Sequence, residues 1–191
     1  MERIALATEN RSDMNLVAAC RSGSRDAMRR LYEENQRRVY SIALNFFGGD
    51  IDKAADVTQQ VFVQLFTKMD FRGESALTTW LYRLTINQCI DEQRKSRRFL
   101  NLEDWFPLAE PVTKLTLADE MQSNEICEEV QKVIASLRPK LRIPIVLKYV
   151  EGLSYQEIAN VLKCSIGTVS SRLNRGHKVL ASKLEHLRNE I

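Results

Sequence analysis

Apolar residues recur at helical spacing along most of the 191-residue chain, and no segment reads as a strand. Met28, Leu31, Val39, Ile42 and Phe46 form a first stripe, with Ser24 placed to cap its start and Gly48-Gly49 to stop it. Over 51–67 the pattern is strongly amphipathic. Ile51, Ala54, Ala55, Thr58, Val61, Phe62, Leu65 and Phe66 fall on one face; Asp52, Asp56, Gln59, Gln60, Val63 and Gln64 fall on the other. A short loop at 71–76 leads into a third helix over about 78–98. Residues 99–125 lose the period and contain Pro107 and Pro111, which predicts a linker. Trp105, Phe106 and Leu108 give that linker apolar content suited to docking on a partner. Patterning resumes at Ile126, Val130, Val133, Ile134 and Leu137, and Pro139 is expected to end that helix. A further helix carries Leu141, Ile145 and Leu147, with Pro144 near its start and Gly152 at its end. Two short helices follow, over 154–163 and about 166–184. The fold class is therefore all-α: two small helical domains joined by a flexible acidic linker, the second containing a helix-turn-helix.

Charge sharpens this division. The net charge is only +3, yet residues 100–129 hold eight acids and one base, Lys114; that stretch carries −7 and the rest of the chain +10. Basic flanks around an acidic middle fit two parts facing nucleic acid and a connector that does not, or two solvated helical faces with an acidic linker. Cys20, Cys89, Cys127 and Cys164 lie far apart in sequence, and the two histidines, His177 and His186, have no metal-ligand spacing. They read as reduced, mostly buried thiols in a cytoplasmic protein, with no metal or cofactor implied. No apolar run is long enough to span a membrane, and no signal sequence is recognisable.

Residues 152–180 carry the clearest chemistry. Ser154-x-x-Glu157 spells a capping box, and Ile158, Ala159 and Leu162 make an inner face on which small Ala159 lets a second helix cross closely. That second helix turns Val169, Leu173, Gly176 and Leu180 inward. Outward it presents Thr168, Ser171, Arg175 and Lys178, flanked by Arg172 and Asn174: donors for phosphates and base edges, with almost no acid among them. In a helix-turn-helix the second helix enters the major groove. The bland alternative is a helical hairpin with a solvated basic face. Lys163 stands where the turn would favour glycine; a left-handed conformation there would cost about 1 kcal/mol.

On the helix beginning near Thr78, Trp80, Leu84, Asn87, Asp91, Arg94 and Arg98 share one stripe, while Tyr82, Ile86 and Cys89 lie on the other side. An aromatic with Asn and Arg suits single-stranded or distorted DNA, since bases stack on rings while cations hold phosphates. Asp91 is placed to orient Arg94 three residues on, or to accept from a base amino group. Trp80 taken by itself is as readily a core residue. On the 51–67 helix Asp56, Gln59, Gln60 and Gln64, a set rich in neutral hydrogen-bonding groups with Val63 among them, offer a surface for docking a protein.

Taken in order, three stretches resemble the extracytoplasmic-function sigma factors of the sigma-70 family: A-A-D-V-T-Q-Q-V-F at 54–62, F-R-G-E-S-A-L-T-T-W-L-Y-R-L-T-I-N at 71–87, and G-L-S-Y-Q-E-I-A…C-S-I-G-T-V-S-S-R-L at 152–173. The resemblance covers all but the first dozen residues and the linker. It implies a transcription initiation factor that binds core RNA polymerase and promoter DNA and is commonly restrained by an anti-sigma factor. It implies no enzymatic activity and no small-molecule substrate. It further implies that Asp56, Gln59, Gln60 and Val63 contact core polymerase. The −10 element would be read and opened by Arg72, Ser75, Ala76, Leu77, Trp80, Asn87, Asp91, Arg94 and Arg98. The −35 element would be read by Ser154, Thr168, Ser170, Ser171, Arg172, Asn174, Arg175 and Lys178. The expected organisation is a disordered 1–12, a region 2 domain over 13–98, a linker over 99–125 and a region 4 domain over 126–191. Members of the family often carry Glu at the positions of Ala55 and Gln60 and a base at Ser170, which points to altered polymerase affinity and a weaker DNA contact. The rival readings are an operator-binding regulator and an enzyme; no metal set, phosphate loop or nucleophile-base pair supports the latter.

Overall fold

The computed structural model describes residues 2–68, 70–103 and 118–185, and their side chains over 12–96 (Met69 excepted) and 126–185. Eight helices make up the described residues: α1 (Glu2–Arg21), α2 (Arg25–Phe46), α3 (Ile51–Thr67), α4 (Leu77–Glu103), α5 (Ala118–Ser136), α6 (Pro139–Tyr149), α7 (Tyr155–Leu162) and α8 (Ile166–Lys183). Local chemistry sets most of their ends. Ser24 accepts from the Ala27 N–H to start α2, and Asp50 accepts from the Lys53 N–H at 2.9 Å to start α3. Lys53 also donates to Asp50 at 2.7 Å; burial alone would raise the Asp50 carboxyl, but these bonds hold it below its ordinary range. Between α2 and α3, Gly48 and Gly49 take left-handed φ of 69° and 89°. The Gly49 N–H then reaches back to the Leu44 carbonyl, closing the helix end.

α2 and α3 pack on one another, and α4 crosses both. Their shared core holds Leu31, Val39, Phe46, Val61, Leu65 and Leu81. In the second half, α6, α7 and α8 enclose Ile145, Leu147, Ile158, Val169 and Leu173. Gly176 lets α8 lie against α6: a Cβ there would sit 2.5 Å from Ile145 Cδ1.

Several expectations need correction. Residues 2–12, expected to be disordered, continue α1, because Glu2, Arg3, Ala5, Leu6 and Ala7 are strong helix formers. The predicted linker of 99–125 is trimmed from both sides: α4 runs on to Glu103 and α5 begins at Ala118. Trp105, Pro107 and their neighbours to 117 lie outside the described residues. Pro139 opens α6 at its first turn, where a missing N–H costs nothing, and α5 has already ended at Ser136. On α3, Ile51 and Ala55 face solvent, Phe66 is half-buried, and Val57, absent from the predicted stripe, is fully buried. Cys20 and Cys89 are buried as expected, and burial pushes the Cys89 thiol up to about 12; Cys127 is exposed.

The two halves touch. The buried Arg142 of α6 donates to the Phe46 carbonyl at 2.9 Å, to the Leu137 carbonyl at 2.7 Å and to the Ala135 carbonyl, with its guanidinium 4.6 Å from the Phe46 ring centre. Gly48 has no room for a side chain at this contact, since a Cβ would sit 2.7 Å from Ala135 Cβ.

Candidate polymerase and promoter interface

The 71–77 loop and α4 form the first site. Phe71 is buried and meets the Trp80 ring edge-on at 5.9 Å, so Trp80 is half-buried with one side still accessible. Arg72, Ser75, Trp80 and Asn87, all predicted for −10 DNA, line one cleft of about 400 Å³ together with Phe71, Arg83 and Lys163. Asp91 and Arg94 are exposed and paired at 3.4 Å, the orienting contact expected from their spacing. Ala76, just before the start of α4, is half-buried. Leu77 differs from the expectation: its side chain is 6% exposed and belongs to the core, so it can offer DNA position but no surface. The side chain of Arg98 lies outside the described residues.

The second site is the helix-turn-helix. Ser154 accepts from the Glu157 N–H at 3.2 Å, and Glu157 in turn accepts from the Ser154 N–H at 2.7 Å and hydroxyl at 2.6 Å. Those bonds hold the Glu157 carboxyl below its usual range. Lys163 ends α7 in the left-handed conformation, φ 50° and ψ 49°, and its neighbour Cys164 returns an N–H to the Ala159 carbonyl. Ser165 then caps α8 through the Thr168 N–H. Along α8, Ser171, Asn174, Arg175 and Lys178 are exposed; Thr168, Ser170 and Arg172 are half-buried.

A third surface lies between α2 and α3. Gln59 and Val63 border an apolar cleft of about 740 Å³ whose other wall is Tyr32, Gln36, Arg37 and Tyr40. Tyr32 packs edge-on against Phe62 at 4.7 Å. Gln60 joins Gln59 and Val63 along an adjoining groove, while Asp56 is exposed one turn away. Tyr32, Gln36 and Tyr40 were missed from the sequence, although their spacing of four marks a single helical stripe.

The family comparisons cover the helices that carry these surfaces. The model of sigma-70 region 2 matches residues 31–99 and that of sigma-70 region 4 matches 127–180. The chain is 32% identical to the ECF RNA polymerase sigma-E factor of Escherichia coli (strain K12), over 94% of this chain and 98% of that one. It belongs to the extracytoplasmic-function RNA polymerase sigma factors of the sigma-70 family. To the sigma factor SigW of Bacillus subtilis (strain 168) it is 29% identical, over 90% of this chain and 96% of that one. Two solved structures share the fold: CnrH in complex with the cytosolic domain of CnrY (TM-score 0.66, 24% identity, 91% of this chain and 97% of that one), and the sigma factor RpoE of Bartonella quintana in complex with the anti-sigma factor NepR (TM-score 0.62, 24% identity, 82% and 96%). As a sigma factor, this chain has core RNA polymerase and promoter DNA as its partners. No helix among the described residues is long and apolar enough to cross a membrane.

In this sigma factor the region 2 and region 4 sites face one another. Arg83 of α4 donates to the Val161 carbonyl at 3.1 Å and the Asn160 carbonyl at 2.6 Å, at the end of α7. Glu151 accepts from Tyr82 at 3.0 Å and pairs with Arg38 at 3.2 Å. Burial raises the Glu151 carboxyl despite these partners; burial and then the Glu151 charge push Tyr82 up to about 12. Thr168, Ser171, Arg172 and Arg175 line a cleft of about 1160 Å³ whose far wall includes Ile90, Gln93 and Arg94 of α4. None of these bridging residues was legible as such, because each pair is separated by more than sixty positions.

Proposed function

We propose that this sigma factor docks on core polymerase through Asp56, Gln59, Gln60 and Val63, with the aromatic wall of α2 completing the surface. The 71–77 loop and α4 open and read the −10 element, using Arg72, Ser75, Ala76, Trp80, Asn87, Asp91, Arg94 and Arg98, with Leu77 holding the loop from the core. The helix-turn-helix reads the −35 element through Thr168, Ser170, Ser171, Arg172, Asn174, Arg175 and Lys178, with Ser154 fixing its first helix. The observation that carries the reading is the cleft that gathers Arg72, Ser75, Trp80 and Asn87, an accessible aromatic beside amide and cation. Domain boundaries follow the helices: region 2 extends through α4, and region 4 begins within α5.

The mechanism is differential binding. Unstacking a base step costs a few kcal/mol, and stacking a base on protein returns about 1–3 kcal/mol. Capture of −10 bases therefore offsets only part of the opening cost, and polymerase contributes the rest. The chain supplies no catalytic chemistry of its own and acts in the cytoplasm, where polymerase is. The cleft shared by α4 and α8 is far too small to admit a duplex, so promoter binding requires the halves to part. An anti-sigma factor that held them together would restrain the protein.

The test is to mix the purified chain with sigma-free core polymerase and a promoter library, then sequence the run-off transcripts. Initiation at a shared −35/−10 pair, absent without the chain, is the expected result. Tight binding to a palindromic duplex without polymerase, and no transcripts with it, would replace this reading with an operator-binding regulator.

A further inference from the structure

Helix α1 touches the 71–77 loop at three points. Arg21 donates from its guanidinium to the Phe71 carbonyl at 2.8 Å. Met14 lies beneath Gly73, where a Cβ would sit 2.8 Å from its sulfur. Asp13 accepts the Leu77 N–H at 3.1 Å. Leu77 is the first residue of α4, and its N–H is one of the donors that a helix start leaves without a partner inside the helix. Ala76, just before it, has no side-chain oxygen with which to cap. Asp13 therefore caps α4 from another helix, and its negative charge sits at the favourable end of the α4 dipole. Val17 and Cys20, on the same face of α1, are 1% and 2% exposed and fix that helix to the body. The span from Asp13 to Arg21 is about 12 Å, so α1 lies along the loop as a splint.

We propose that Asp13 is a positioning residue for promoter opening: by capping α4 across the loop, it sets the conformation in which residues 72–76 meet the −10 strand. The region 2 family match begins only at residue 31, so α1 stands outside it. The inference rests on the −10 assignment made above.

The experiment uses holoenzyme assembled with the full chain and the promoter recovered from the transcript screen. Wild type, Asp13→Ala and Asp13→Asn are compared for core affinity, for permanganate reactivity of −10 thymines, and for discrimination between that promoter and one with a substituted −10 base. Loss of a cap predicts about a fivefold fall in opening for Asp13→Ala and reduced −10 discrimination, with core affinity unchanged. Asp13→Asn, which keeps an oxygen acceptor, should recover most of both. Opening and discrimination at wild-type levels in Asp13→Ala would overturn the proposal. So would a parallel loss of core affinity with discrimination intact, which would make Asp13 a general fold residue. If the wild-type protein gave no initiation at all, the sigma-factor mechanism itself would fail, a result distinct from either.

Discussion

The two surfaces proposed for promoter DNA are built in opposite ways. The helix-turn-helix is assembled from neighbours: Ser154 caps Glu157, Lys163 turns the chain, and Ser165 caps Thr168, all within a few positions. The −10 site is assembled at a distance. Its loop is held by Asp13, Met14 and Arg21, and its cleft is completed by Lys163 from the other half. A locally built site stays sensitive to local changes. A site built by tertiary contact inherits the stability of everything that frames it.

Arg142 probes whether the sites are separable, because it ties α6 to the end of α2. Arg142→Met leaves the buried carbonyls of Phe46 and Leu137, and the part-buried carbonyl of Ala135, without their donor, and should cost about 3 kcal/mol. Denaturant unfolding followed by circular dichroism should then split into two transitions; a single unshifted transition would mean the contact contributes nothing. Gly73→Ala acts on the distant construction alone. A side chain at φ 74°, meeting Met14, should cost about 2 kcal/mol and depress −10 opening while −35 affinity holds, as read by permanganate footprinting and by gel shift. Ser154→Ala is the mirror experiment. Losing the capping box should cost about 1 kcal/mol and weaken −35 contacts, leaving opening on a −10 template intact. Lys163→Gly should move stability the other way, raising it by about 1 kcal/mol in thermal melts by relieving the left-handed lysine.

The smallest effect is one of pH. Tyr82 donates to Glu151 only as the neutral phenol, and its ionisation is pushed up to about 12 from an ordinary value near 10. Its contribution to holding the halves together is thus complete below pH 10 and lost as pH rises through about 12. Absorbance titration of tyrosinate should show a late phase that disappears in Tyr82→Phe.

Period and caps made the helices legible: α3 ends where its pattern stops, and Ser24, Ser154 and the strained Lys163 behave as their positions require. Misreadings came where the chain obeys a neighbour rather than itself. Leu77 sits in a motif whose members look alike on paper, but packing assigns it to the core. Ile51 looks apolar and inward, yet at the first turn of α3 it has no partner and stays in water, while Val57 takes the buried place. Glu151, Arg83 and Arg142 carry no signal, since a charged residue's partner dozens of positions away leaves no mark on local spacing. Sequence spacing named Arg72, Ser75, Trp80 and Asn87, which line one cleft, but not the α1 residues that hold the loop beside it.

Consider the cap on α4 in time rather than in space. Asp13 precedes the N–H it satisfies by 64 residues. At ribosomal rates of about 5–20 residues per second, its carboxylate emerges roughly 3–13 seconds before its partner exists. Ser154 waits for Glu157 less than about a second. The helix-turn-helix can thus complete itself as it is synthesised, whereas the 71–77 loop stays unfinished until α1 has been kept available for a helix that is made long after it.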